Sequence, residues 1–89
     1  MPNERKLSKA HAGSVDRDVL VTFGARLKAL RVARKMSQSE LALRCEMDRS
    51  YVSGLECGKR NPTLKVLEKL AYKLDVNLAQ LLTLKSPRK

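Results

Sequence analysis

Residues 37–56 read SQSELALRCEMDRSYVSGLE, and this stretch decides the fold. Ser37 stands three positions before Glu40, which is the capping-box pattern that begins a helix. Asp48 is a second good N-cap, and its negative charge complements the dipole of a helix that follows it. The stretch therefore predicts two short helices with a brief turn between them.

Amphipathic segments lie on both sides of this pair. Before it, apolar residues recur at spacings of three and four, and the opposite face carries Lys and Arg. After it, Gly58 is placed to end the second short helix in a left-handed cap, Thr63 caps the next helix, and Asn77 with Gln80 forms another capping-box pattern. No strand-like alternation occurs, so we expect an all-α, five-helix fold. The predicted helices are about 18–35, 38–45, 49–56, 64–74 and a short one that begins at Leu78.

Length and charge limit the class of protein. The chain has 89 residues, enough for one compact domain, and its net charge of +10 indicates an anionic partner such as nucleic acid or, less often, a membrane surface. We expect a flexible basic N-terminal arm over 1–17, the folded domain over 18–82 and a basic C-terminal tail over 83–89. With no apolar run of membrane-spanning length and no export signal, a cytoplasmic protein with reduced thiols is expected.

Patterns of catalysis and metal binding are missing from the sequence. Cys45 and Cys57 are far apart in the chain and His11 lies in the predicted arm, whereas a zinc site needs about four ligands, commonly in close pairs. We find no glycine-rich phosphate loop after a strand and no nucleophile–base set. We therefore expect no enzyme activity, no metal, no cofactor and no small-molecule ligand.

The second short helix carries the residues that indicate a function. Its outer N-terminal part presents Arg49, Ser50, Tyr51 and Ser53, and Gly54 removes side-chain bulk so that another group can approach closely. Arginine offers a planar fork of donors that suits guanine O6 and N7 or a phosphate, and the hydroxyls can contact phosphates or base edges. Held at a fixed angle to its neighbour, this helix can enter the major groove of DNA. An ordinary solvated helix face is the alternative interpretation.

The stretch over about residues 23–82 contains an ordered set of residues, namely Phe23-Gly24, Leu27, Leu30-Arg31, Met36-Ser37-Gln38, Leu41-Ala42, Tyr51-Val52-Ser53, Leu55-Glu56, Gly58 through Leu64, Leu67, Leu70-Ala71, Leu74, Val76, Leu78 and Leu81-Leu82. In its residue types and spacings this set resembles the phage-repressor/Cro-type helix-turn-helix proteins. The 48–56 stretch and Arg60-Asn61 are most similar to the small controller proteins of restriction–modification systems. Glu46 stands where the family often has Gly, and a left-handed backbone there would cost Glu about 1 kcal/mol.

The resemblance implies a role for each DNA-facing residue. Gln38 would contact a backbone phosphate and support the recognition helix, Arg49 would read bases, and Arg60 would grip the DNA backbone. Three further residues would contact bases or phosphates: Ser50, Tyr51 and Ser53. Arg31 and Glu56 match a partly buried salt bridge that joins the first helix to the third.

The last helix suggests self-association. Its leucines are too many for so short a helix to bury against its own core, and a remaining apolar patch suggests a partner. Two copies would also roughly double the base contacts, with their reading helices about 34 Å apart on one face of the DNA. We therefore expect a twofold symmetric homodimer interface, whereas the alternative is that these residues only close the monomer core. The expected interface residues are Val76, Leu78, Leu81, Leu82 and Leu84.

The sequence thus predicts a sequence-specific transcription regulator that binds palindromic double-stranded operator DNA as a homodimer. The closer similarity points to the controller of a restriction–modification operon, with RNA polymerase as a candidate further partner. Alternatives on the same fold are a stand-alone phage-type or chromosomal repressor, or an antitoxin. A module that binds proteins or membranes through its basic surface is a further alternative, and it predicts no preference for an operator sequence.

Overall fold

The computed structural model describes residues 19–83, and within that range the chain forms five helices and no strand. The all-α prediction is therefore confirmed, and the predicted bounds of the two short helices are those observed. The predicted arm over 1–17, residues 84–89 of the predicted tail and the interface residue Leu84 lie outside the described residues. The helices are α1 (19–33), α2 (Gln38–Cys45), α3 (Arg49–Glu56), α4 (Leu64–Lys73) and α5 (Leu78–Leu81).

Side-chain caps begin α4 and α5 as predicted. The Thr63 hydroxyl accepts a hydrogen bond from the Val66 amide at 3.1 Å. At α5 the box is complete, because Asn77 Oδ1 accepts from the Gln80 amide at 2.7 Å while Gln80 Oε1 accepts from the Asn77 amide at 2.9 Å. These bonds satisfy amides that have no partner inside their own helix.

The caps of the two short helices differ from the prediction in detail. The Ser37 hydroxyl accepts from the Glu40 amide at 3.0 Å, but the Glu40 carboxylate pairs with Arg44, one turn further on, at 3.1 Å. Only half of the predicted capping box therefore forms. Asp48 takes the N-cap position of α3 without a side-chain cap hydrogen bond, so its predicted capping contact is absent.

One backbone motif ends each of α1 to α4. At the end of α1, Lys35 has a left-handed φ of 59°, its amide donates to the Val32 carbonyl at 2.8 Å, and the Met36 amide donates to the Arg31 carbonyl at 3.2 Å. This is the Schellman motif, which satisfies the last carbonyls of a helix. The same pair of bonds recurs around the left-handed residues that end α2, α3 and α4, which are Glu46, Gly58 and Asp75.

These left-handed residues explain where the prediction of helix ends was wrong. Glycine occupies the position only after α3, as expected for Gly58. After α1 and α4 the chain reverses at Lys35 and Asp75, so both helices stop earlier than the predicted residues 35 and 74. Glu46, at the position where the family often has glycine, does adopt the left-handed conformation, with φ 57° and ψ 48°.

A single aliphatic core joins the helices, with α2 packed against both α3 and α4. Phe23 is the one aromatic side chain buried in it among the described residues. Leu81 was expected in a dimer interface, but it is completely buried in this core, because it lies on the inner side of α5. Other side chains with no exposed surface are Leu27, Leu41, Cys45, Val52, Leu55, Leu70 and Leu74.

The two cysteines have contrasting surroundings. Cys45 is completely buried, and this burial raises the pKa of its thiol. Cys57 is exposed just after α3. Neither forms a disulfide.

Candidate nucleic-acid interface

The C-terminal end of α3 is fixed by a buried carboxylate. Arg31 on α1 donates from Nε to Glu56 Oε2 at 2.6 Å and from Nη2 to Oε1 at 2.9 Å, which is the bidentate geometry of a strong ion pair. Gln38, the first residue of α2, donates from Nε2 to Glu56 Oε1 at 3.0 Å. Only 3% of the Glu56 side chain is exposed. One carboxylate therefore connects α1, α2 and α3.

Hydrogen bonding keeps this pair ionised despite its burial. Burial alone would raise the pKa of the Glu56 carboxyl, but the hydrogen bonds from Arg31 and Gln38 and the positive charge of Arg31 hold that pKa below its usual value. The hydrogen bond to Glu56 raises the pKa of Arg31 above its ordinary value, against the effect of desolvation. Arg31 also donates from Nη1 to the Met36 carbonyl at 2.8 Å, so each of its three side-chain nitrogens donates a hydrogen bond.

A glycine lets the backbones of α1 and α3 touch at the same end. A Cβ atom on Gly24 would lie 2.5 Å from the carbonyl oxygens of both Leu55 and Glu56, closer than real contacts allow. In the sequence, Gly24 is only one of the residues that carry the family resemblance, which implies no role for it. The available signal was a glycine inside a helical pattern, which costs about 1 kcal/mol relative to alanine and therefore suggests a packing reason.

The N-terminal end of α3 has the opposite character. Arg49 and Ser50 are exposed, and Tyr51 and Ser53 are half-buried. Between residues 19 and 83 the salt bridges are Arg31–Glu56 and Glu40–Arg44, and Arg49 takes part in neither. Arg49 and Ser50 therefore lie at an accessible end of the helix, whereas Tyr51, which packs against the core, and Ser53, in the middle of the helix, are partly covered.

Arg60 lies closer to α3 than the sequence analysis anticipated. Its guanidinium carbon is 5.7 Å from the centroid of the Tyr51 ring, which is within the range of a cation–π interaction. Its aliphatic part lies over Gly54, where a Cβ atom would be 2.8 Å from Arg60 Cγ. The close approach expected at Gly54 is therefore made by Arg60 of the same chain. Helical periodicity in the sequence does not predict this contact, because one of the two side chains belongs to a loop.

Gln38 is half-buried at the start of α2. Its hydrogen bond to Glu56 is a contact that supports α3 directly. This bond places Gln38 next to the anchored end of α3.

The residues expected in a dimer interface are divided by the structure. Leu78 and Leu82 remain 36% and 37% exposed, Val76 is half-buried against the core, and Leu81 is inside it. Leu82 also borders an open apolar cavity of about 110 Å³ that the sequence analysis missed, since residues far apart in the chain form it. The cavity is lined by Val19, Leu20, Phe23, Asn61, Pro62, Leu67 and Leu82.

Comparisons with known proteins agree with this geometry. The profile of the helix-turn-helix family HTH_3 matches residues 27–81. The control protein C.MunI of a Mycoplasma species is 40% identical over 65 residues, which cover 72% of this chain and 88% of that protein. The crystal structure of the restriction–modification controller C.AhdI from Aeromonas hydrophila has a TM-score of 0.68 and 48% identity, covering 70% of this chain and 94% of that one.

A third similar protein has been solved on DNA. The controller C.Esp1396I, in a structure described as a tetramer in complex with its natural 35 base-pair operator, has a TM-score of 0.65 and 33% identity, covering 71% of this chain and 83% of that one. None of the described helices of the present chain is long and apolar enough to cross a membrane. The family profile matches more than half of the chain, including the short helix pair and both residues of the Arg31–Glu56 salt bridge, so the chain belongs to the helix-turn-helix family HTH_3 of DNA-binding transcription regulators, which are not enzymes.

Proposed function

We propose that this chain is a sequence-specific regulator that binds palindromic operator DNA as a homodimer, with the N-terminal half of α3 in the major groove. The observation that carries the proposal is the exposed Arg49-Ser50 end of a helix whose other end is fixed by a buried ion pair. The major groove is wide enough to admit an α-helix, and its base edges present a distinct donor and acceptor pattern for each base pair. A rigid helix with an open polar end can read that pattern.

Within this arrangement the polar residues divide the work. Arg49 contacts base edges, because its guanidinium can donate two parallel hydrogen bonds to guanine. Gln38 and Arg60 contact the phosphate backbone and fix the register of α3 on the duplex. The remaining side chains at the open end contact bases or phosphates, and these are Ser50, Tyr51 and Ser53.

A second copy of the chain is the proposed occupant of the apolar surface at α5. Leu78 and Leu82 stand one helical turn apart and each keeps more than a third of its surface exposed. The adjoining cavity extends this apolar surface onto α1 and α4. Val76 and Leu84 complete the proposed interface, whereas Leu81 does not take part. A twofold axis through this surface would give each operator half-site its own α3.

The biological role we propose is control of a restriction–modification operon in the cytoplasm, with RNA polymerase as a further partner when the regulator activates. The similarity to C.MunI and C.AhdI supports this role. The operator complex of C.Esp1396I supports binding to a defined DNA site.

Selection from a library of random-sequence duplexes tests the proposal. We expect the protein to enrich a palindromic site, and Arg49→Ala to reduce the preference for that site by about 1–3 kcal/mol. Arg60→Ala removes the same charge and is the matched control: it should weaken binding to selected and random duplexes equally and reduce the salt dependence by about one phosphate contact. If the protein enriches no sequence, or if Arg49→Ala leaves the ratio unchanged, the proposed reading mechanism is wrong.

Sedimentation tests the dimer. Leu82→Asp places a charge in the proposed interface and should shift the protein towards monomer. Leu43→Asp is the matched control, because Leu43 is an exposed leucine, 79% accessible, that belongs to α2 and not to α5. A dimer that survives the first substitution, or that is lost with the second, would place the interface elsewhere.

A further inference from the structure

Arg60 follows α3 in a loop, yet its side chain lies back along that helix. Both parts of the side chain have a contact: the aliphatic part passes over Gly54, and the guanidinium lies over the Tyr51 ring at 5.7 Å. Tyr51 and Gly54 are three positions apart in α3, so they share one face of the helix. The ring is itself half-buried and packs against the core, so it offers a fixed support.

The space above Gly54 is what allows this path. A Cβ atom at position 54 would lie 2.8 Å from Arg60 Cγ and 3.3 Å from Nε, and the nearest atoms all belong to the Arg60 side chain. Any residue larger than glycine would therefore displace the arginine, while the backbone of α3 and the core stay as they are. Glycine is otherwise unfavourable inside a helix, because it has more backbone freedom to lose on folding.

We propose that Tyr51 and Gly54 are positioning residues that hold Arg60 against α3 before DNA binds. A free arginine on a surface loop loses rotamer freedom when it is immobilised on a ligand, and an arginine that is already ordered loses less. Held in this way, Arg60 moves with α3 as one body and delivers its charge to a phosphate beside the groove that α3 enters. The proposal rests on the function proposed above, in which α3 faces DNA.

Gly54→Ala is the central test. Alanine is favoured over glycine in a helix, so we expect the melting temperature to stay the same or rise. Affinity for a duplex that the wild-type protein selected from a random library should fall about two- to fivefold, the size expected for an exposed cation–π contact. A substitution that stabilises the fold and weakens DNA binding separates positioning from a merely structural role.

Double variants with Arg60→Ala show whether Gly54→Ala weakens DNA binding through Arg60. In the Arg60→Ala background, Gly54→Ala should cause no further loss of affinity, because there is no side chain left to displace. Tyr51→Leu should likewise lose its positioning effect in that background. Tyr51→Phe removes only the hydroxyl and keeps the aromatic face, so it should retain the coupling to Arg60 that Tyr51→Leu loses.

The outcomes separate this inference from the proposed function. If Gly54→Ala weakens binding equally with and without Arg60, the added methyl acts on DNA directly and the positioning proposal is wrong. It is also wrong if Arg60→Ala weakens binding and Gly54→Ala does not, or if Arg60→Ala has no effect at all. Failure of the wild-type protein to prefer any duplex would instead contradict the proposed function itself.

Discussion

At its C-terminal end α3 is held by Glu56, which bonds to α1 and α2, whereas at its N-terminal end Arg49 and Ser50 face solvent. A helix of eight residues is not stable by itself in water, so its geometry must come from tertiary contacts. Here the polar tertiary contacts are concentrated at one end. The other end is therefore available for side chains that contact a ligand. Substitutions at the anchored end should mainly reduce stability, and substitutions at the open end should mainly reduce DNA binding.

Arg31→Ala should cause the largest loss of stability. It leaves Glu56 buried with Gln38 as its remaining partner, and removing one member of a buried pair costs about 3–5 kcal/mol in the free energy of unfolding. Urea unfolding, followed by the circular dichroism of the helices, should show a loss of about this size. The matched control is the double variant Arg31→Met with Glu56→Met, which should recover much of it because no charge is left unpaired. A single variant as stable as wild type would contradict the anchoring role.

Gly24→Ala should cost about 1–3 kcal/mol, the usual range for overpacking a tight contact. The added methyl meets backbone carbonyl oxygens of Leu55 and Glu56, so α1 and α3 must move apart. Gly54→Ala is the control within the same pair of helices, because its methyl meets only a flexible side chain. Thermal unfolding of the two variants should therefore shift in opposite directions, or at least differ clearly in favour of Gly54→Ala.

Acid pH should reduce the free energy of unfolding by a smaller amount, through the ion pair between Arg31 and Glu56. Because the pKa of Glu56 lies below its usual value in the folded protein, the ion pair adds its full stability above the ordinary carboxyl pKa of about 4.3. That stability is lost as the pH falls through the lowered folded value. Unfolding free energies measured between neutral and acid pH should show the decline in the wild type. The Arg31→Met, Glu56→Met double variant should show less of it, and an identical decline would assign the acid sensitivity to other groups.

Arg49→Ala should change stability least, within about 0.5 kcal/mol, because exposed residues outside caps and cores contribute little. The same substitution is expected to reduce operator preference, as set out above. Chemical unfolding and a binding titration on one preparation check both parts. A large loss of stability would mean that the open end of α3 is held by contacts made through Arg49.

Local sequence patterns predict the start of a helix well where the side chain that signals it also forms the cap hydrogen bond. Ser37, Thr63 and Asn77 mark helix starts and form the cap hydrogen bonds observed there. The starts of α2, α4 and α5 follow from such marks, whereas Asp48 marks the start of α3 without forming a cap hydrogen bond. The ends of α1 and α4 do not follow from any such mark, because Lys35 and Asp75 carry no local sign of a left-handed conformation. Their conformation is imposed by the apolar residues that follow, Met36 and Val76, as these pack towards the core.

Contacts between residues far apart in the chain limit how much of the candidate site the sequence can predict. The salt bridge between Arg31 and Glu56 was expected through resemblance, and no local pattern alone would have paired two residues 25 positions apart. The burial of Leu81 depends on the angle at which α5 meets the core, which the sequence does not state. The stacking of Arg60 on Tyr51 depends on the path of a loop that has no periodicity to interpret.

The two cysteines differ in exposure, so their rates of reaction with a thiol reagent can report how often the helices separate. A thiol-modifying reagent should label Cys57 at once in the native protein, because that side chain is exposed. Cys45 reacts only when α2 separates from the core, since burial both shields its sulfur and disfavours the reactive thiolate. The labelling rate at Cys45 therefore measures how often the helix pair opens, with and without DNA, and requires no engineered probe.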